Sequence, residues 1–254
     1  MTGEFSADWL ALREPADAAA RATDLIELVP GPVRMIRDLG CGTGSLARWL
    51  APRIPLPQFW ILTDRDPALL EIAADRMPDG VNVAVDERDV TALTPDDLTG
   101  ADLVTCSALL DLLTAPEIDR LAEVCAQARV TVLFTLSVTG EVTLTPADPR
   151  DAAVEAAFNA HQRRETAGRT LLGPDAPGYA AAAFAKAGAR VHTRPSPWRL
   201  GPASAELTAE WLRGWVGAAV EQRPDQGFDD YLAERLGALP EVSVGHEDVL
   251  AIFG

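Results

Sequence analysis

The chain has 254 residues, 48% of them apolar, and carries 22 Lys and Arg against 38 Asp and Glu, a net charge of −16. The apolar share can build a sizeable core, and the length fits one large α/β domain or two small ones. A surface this negative repels phosphate backbones and anionic lipid, and no basic run offsets it. The expected partner is therefore a small molecule, or a basic region of another protein, and not nucleic acid or a membrane.

Cys41, Cys106 and Cys125 are odd in number and far apart. They match neither a disulfide framework nor zinc spacing, and the three histidines show no metal-ligand spacing. No metal is expected. The first residues carry acids early and lack the basic start and apolar run of a signal peptide. No apolar stretch approaches the ~20 residues needed to span a bilayer. A cytoplasmic chain is expected.

In chain order, residues 7–29 read as a helix, with Pro15 marking a break or restart. Residues 33–39 read as a first strand and 45–51 as the start of a helix. An apolar run at 58–63 gives a second strand. Residues 67–76 form a helix opened by Pro67, a residue suited to a first helical turn. Strands follow at 81–85, 102–107 and 130–136, with a helix at 116–128 between the last two. The rhythm then loosens into helices at 151–164, 179–187 and 205–222, a sixth strand beginning at 190–192, and a last strand at 242–253. Short β-type runs alternating with longer helical ones argue for a parallel sheet covered on both faces.

The most informative segment is Asp38-Leu39-Gly40-Cys41-Gly42-Thr43-Gly44, where a strand ends and three glycines turn the chain into a helix. Glycine there lets the backbone approach a nucleotide-like ligand and adopt positive φ. The dinucleotide fingerprint G-x-G-x-x-G is not met, because Ser45 stands where its third glycine would be. Asp38 would also sit poorly beside a pyrophosphate. It suits a ligand with a cationic amino group.

This segment resembles the first motif of the class I S-adenosylmethionine (SAM)-dependent methyltransferases, D/E-x-G-x-G-x-G. Three further matches follow in order. The second strand ends at Asp64, about 20 residues past the loop, where an acid can accept hydrogen bonds from ribose hydroxyls. Arg65-Asp66-Pro67 then opens a helix as the family's D-x-S-P step does, with Asp66 in place of Ser. Asp89-Val90 resembles the D-A/V pair whose acid accepts from the adenine amino group. Ala101-Asp102-Leu103-Val104-Thr105-Cys106-Ser107 and on to Asp111 resembles D-L-V-x-x-x-x-V-L-H-H, with Asp111 where many relatives carry His. The resemblance covers roughly residues 33–137.

The resemblance implies SAM as cofactor and S-adenosylhomocysteine (SAH) as product. Asp38 would face the amino acid end, Asp64 the ribose and Asp89 the adenine. Gly40, Cys41, Gly42, Gly44, Arg65, Val90 and Ser107 would line the same site. It implies an α/β, Rossmann-like, doubly wound sheet of seven mostly parallel strands, the last antiparallel, with helical cover insertions. Residues 1–254 would form a single domain: a lid helix (1–32), a cofactor-binding core (33–137) and a part covering the acceptor (138–254). The expected reaction is in-line transfer of the methyl group to an O, N or C nucleophile of a small molecule. Two rivals remain, a protein methyltransferase and a catalytically silent SAM-binding partner subunit. The nature of the acceptor and the oligomeric state are not legible.

Asp111 and His161 are the candidate catalytic residues, the first an acid at the methyl end and the second a near-neutral base on a covering helix. Their bland readings are a helix-end acid and a polar helix face. Arg13 and Arg21 on the first helix read most simply as a solvated face, although an Arg there can pair with the cofactor carboxylate. Trp9, Trp198, Trp211 and Trp215 read first as core packing, as an aromatic-lined pocket second. His192 and His246 lie in strand-like context, where core or surface roles are the default.

Overall fold

The computed structural model describes residues 6–166 and 168–254. Residues 1–5 of the expected lid and Ala167 of the expected cover lie outside the described residues. The chain opens with α1 (Ala7–Ala20) and a short 3-10 stretch at Thr23–Leu28. A parallel series follows: β1 (Met35–Leu39), α2 (Ser45–Leu50), β2 (Phe59–Asp64), α3 (Pro67–Asp75), β3 (Asn82–Glu87), β4 (Leu103–Ser107), α4 (Ala115–Ala128) and β5 (Thr131–Thr145). Then come α5 (Asp151–Gln162), the two-residue strands β6 (Glu165–Thr166) and β7 (Arg169–Thr170), and α6 (Ala176–Lys186). The chain closes with β8 (Arg190–Pro195), β9 (Trp198–Leu200), α7 (Ala205–Gln222), α8 (Phe228–Gly237) and β10 (Glu241–Ile252).

The main sheet runs β3-β2-β1-β4-β5-β10-β8. Strands β1 to β5 pair in parallel, and β10 runs antiparallel to both β5 and β8. The expected mostly parallel sheet with an antiparallel last strand is present. It has eight strands where seven were expected, because the short β9 also pairs with β10.

Alternation of side chains along each strand feeds two cores. Val104, Cys106, Val132, Phe134, Val249 and Ala251 pack with α4 and α6 on one face. Ile36, Leu103, Leu133, Leu250 and Ile252 pack with α2 on the other. A third cluster stands apart: α5, α7 and α8 close over the far halves of β5 and β10 and over Trp198 and Leu200, with Trp9, Leu12, Ala16 and Ala20 of α1 against it.

Three elements depart from the sequence reading. Strand β5 runs nine residues past 136, because the 12-residue β10 pairs with it as far as Thr145. Helix α1 continues through Pro15 without a break, held by the packing of residues on either side of it against the third cluster. Helix α8 was hidden because its inward positions include Arg235, which pairs with Asp151 at 2.6 Å. Among the described residues no helix is long and apolar enough to cross a membrane.

Candidate functional site

Neighbouring strands β3, β2, β1 and β4 end in succession along one edge of the sheet. Those ends carry Asp89, Asp64, the glycine loop and Ser107 in that spatial order. The sequence-expected residues are thus brought into one row by the parallel topology, at the carboxyl ends where such sheets bind ligands.

Gly40 and Gly42 have φ of 59° and 54°. These left-handed values suit glycine and strain any other residue. A Cβ on Gly40 would stand 2.9 Å from Leu109, and one on Gly42 3.1 Å from Leu10 of α1. The loop is pressed between the end of β4 and the first helix. Cys41 N–H donates to the Thr63 carbonyl at 3.0 Å, tying the loop to β2. Burial, aided by Asp38 and Asp64, pushes the Cys41 thiol up, so it stays protonated. Asp64 holds the loop as well. Its Oδ2 accepts the Gly42 N–H at 2.8 Å and its Oδ1 the Asp66 N–H at 3.1 Å.

Asp38 is 1% exposed. Its registered partner on β4, Thr105, donates a hydroxyl to Oδ1 at 2.7 Å, while the buried Oδ2 has no partner. Burial pushes this carboxyl up to about 6 against the pull of Thr105 and Arg21.

Arg21 overturns its solvated reading, for it is only 4% exposed. The 3-10 stretch after α1 packs Leu25 into the second core and draws the helix end inward. Arg21 Nη2 donates to Ser45 Oγ and Ser107 Oγ, each at 3.2 Å, and the guanidinium lies 5.5 Å from the Trp49 ring centroid. Its Nε and Nη1 are buried without partners. A buried cation with unmet donors is costly unless an anion answers it. Arg13 is likewise drawn in, with a side chain only 12% exposed, paired to Asp17 at 3.0 Å and 4.9 Å from the Trp198 ring centroid.

Asp111 sits in the turn after β4, partly buried, and burial pushes its carboxyl up to about 6 against Arg13. His161 lies elsewhere. Its Nε2 meets Glu221 Oε2 at 2.8 Å and links α5 to α7. Among the described residues no hydrogen bond joins His161 to Asp111, Ser107 or the glycine loop. Asp89 is exposed and caps the turn that begins at Val90, accepting Thr91 N–H at 2.8 Å and the Thr91 hydroxyl at 2.7 Å; these bonds lower its pKa. Arg65 is exposed beside Asp64. An apolar cavity of about 340 Å³ between Ile26, Pro32, Leu50, Ile54 and Leu103 lies at the opposite ends of the strands and holds none of these groups.

The family described as "Methyltransferase domain" matches residues 36–131, which hold every one of the strand-end groups just described. Residues 36–131 are thus similar to a methyltransferase domain. No curated protein sequence matches it. Its fold is similar to that of mycolic acid cyclopropane synthase CmaA1 complexed with SAH and CTAB, with a TM-score of 0.55, 13% identity, and 97% of this chain and 94% of that one covered. It is also similar to the YcgJ protein from Bacillus subtilis, with a TM-score of 0.50, 12% identity, and 90% and 95% covered.

Around the matched segment the aromatic residues serve mostly as core. Trp198 and Trp215 are buried in the third cluster, and Trp211 stacks on Trp215 at 5.0 Å. His246 is buried and its Nδ1–H donates to the Val244 carbonyl at 3.0 Å; burial pushes it down to about 4, so it is neutral. The sequence reading passed over Asp248, which is 1% exposed. The signal was an acid directly before the apolar run Val249-Leu250-Ala251-Ile252.

Proposed function

We propose that the protein transfers the methyl group of SAM to an O, N or C nucleophile of a small-molecule acceptor. The observation that carries this reading is a pair of buried, oppositely charged side chains beside the glycine loop whose hydrogen-bonding atoms are partly unmet. Asp38 Oδ2 lacks a donor and Arg21 Nε and Nη1 lack acceptors, all of them buried. The amino acid end of the cofactor is a zwitterion and answers both.

Asp38 is the group to accept from the amino end, and Arg21 the group to hold the carboxylate. Asp64 has lone pairs left for the ribose hydroxyls while it holds Gly42. Asp89 and Val90 flank the adenine, and Gly40, Cys41, Gly42, Gly44, Arg65 and Ser107 complete the lining. The bound cofactor supplies an electrophilic methyl group through its sulfonium. What the chain adds is position, which can contribute on the order of 7–11 kcal/mol. Asp111, with a carboxyl near 6, is ionised at neutral pH and suited to accept a proton from the acceptor. His161 is engaged by Glu221, and we assign it to the joint between α5 and α7.

The chain works as one unit in this reading. Supporting it, α1 touches the glycine loop through Leu10 and the third cluster through Trp9 and Leu12, so the lid joins the core to the cover. A small acceptor fits a site covered in this way. Cys41, Cys106 and Cys125 are buried free thiols, in keeping with a reducing cytoplasm.

The test is the melting temperature of the protein with SAM, SAH or NAD. A ligand at about 100 times its dissociation constant stabilises by about 2.7 kcal/mol. Stabilisation by SAM and SAH but not NAD is expected. A shift with NAD alone, or with none of the three, would overturn the cofactor site.

A further inference from the structure

The face of the sheet that bears Asp38 carries a second buried carboxylate, Asp248, on a strand that lies outside the matched methyltransferase segment. Alternation along the antiparallel β10 puts it on the same face as Leu250 and Ile252. It is 1% exposed and fully engaged. Its Oδ2 accepts the Ala22 N–H at 2.8 Å. Its Oδ1 accepts the Leu136 N–H at 2.7 Å and the Ser196 hydroxyl at 2.5 Å.

These bonds close a ring. Ala22 directly follows Arg21, whose Nη2 reaches Ser107 Oγ at 3.2 Å. Ser107 also accepts the Thr135 hydroxyl at 3.0 Å from its registered partner on β5. Leu136, next to Thr135, has φ of 57°, a left-handed value that costs a leucine energy. Its N–H returns to Asp248. The ring therefore fixes the end of the first helix, the end of β4 and a strained kink in β5 relative to one another. Asp248 is also among the charges that oppose the burial of Arg21.

We propose that Asp248 is a positioning residue for Arg21: it anchors the backbone at Ala22 and supplies a fixed negative charge, so that the guanidinium is held with two donors free for the cofactor carboxylate. This rests on the assignment of Arg21 made above. The design predicts selectivity between ligands that differ only in the amino acid end. SAH has that carboxylate, and 5′-methylthioadenosine lacks it.

The experiment is calorimetric titration of both ligands into the wild type, Arg21→Met, Asp248→Asn and the double variant. Each single substitution should weaken SAH about tenfold or more, the size of one lost charged hydrogen bond, and leave 5′-methylthioadenosine within about twofold. The double variant should bind SAH no worse than about threefold below Arg21→Met, because the two residues act as one unit. Thr135→Val breaks the same ring from the far side, leaves Asp248 in place and should lower the same selectivity; it carries the test should Asp248→Asn fail to fold. Equal weakening of both ligands, no weakening of either, or independent multiplicative losses in the double variant would overturn the role of Asp248. If Arg21→Met leaves the SAH preference intact, the carboxylate assignment of Arg21 falls. If wild-type protein binds neither ligand, the cofactor site itself falls.

Discussion

Replacing Asp38 with Asn tests the electrostatics of the site without any acceptor. The carboxyl is held at about 6 in the fold against an ordinary 3.8, chiefly because it is buried. Below about pH 4 it is protonated in both folded and unfolded chains, and burial costs nothing extra. Between about 4 and 6 the unfolded chain ionises while the fold resists, so stability falls as pH rises; above 6 the loss is complete and constant. The loss amounts to about 3 kcal/mol. Asn keeps an oxygen for the Thr105 hydroxyl and has no charge to bury. In ligand-free protein, Asp38→Asn should therefore be the more stable chain by about 3 kcal/mol at pH 8 relative to its standing at pH 4, or roughly 6–12 °C in Tm for a chain of this size. Asp111 titrates in the same window but is common to both proteins and cancels. The same variant should lose SAH affinity, because a neutral amide answers an ammonium poorly. The assay is thermal unfolding of both proteins from pH 4 to 8, with SAH titration at pH 8. A stability difference that does not change with pH, or a less stable variant at pH 8, would refute the reasoning.

Asp64→Ala removes the acceptor of the Gly42 N–H and the ribose contact together. It should weaken SAH by about 1.5–3 kcal/mol, read by calorimetry; unchanged affinity would remove the assignment. In the carbon-13 carboxyl spectrum of the ligand-free protein, Asp38 and Asp111 should titrate near pH 6. Asp111→Asn should delete one of these transitions and leave the Asp38 one in place.

Much of the row at the strand ends was legible because it is local. An acid at a strand end, alternating glycines and a helix start lie within eight residues, and chain connectivity alone fixes their order. Asp64 and Ser107 close parallel strands and Asp89 follows one by two residues, so the periodicity that reveals strands also places these residues on one edge. The helices of the cover were legible where their inward positions are apolar, as in α7, and lost where a paired Arg235 takes an inward position in α8.

What the tertiary structure alone decided is burial and long-range pairing. Arg21 reads as one more charge on a polar helix, and only the docking of the segment after it puts the guanidinium against Ser107, 86 positions away. Asp248 follows Glu247 as the second of two adjacent acids ahead of an apolar run; its meaning comes from Ala22, Leu136 and Ser196, brought to it from three other parts of the chain. His161 reads as a near-neutral base, and only the fold brings Glu221 of α7 to its Nε2. Spacing along a chain fixes which residues share a turn or a strand end. Desolvation and the choice of charge partner depend on segments distant in sequence, and the fold alone sets them.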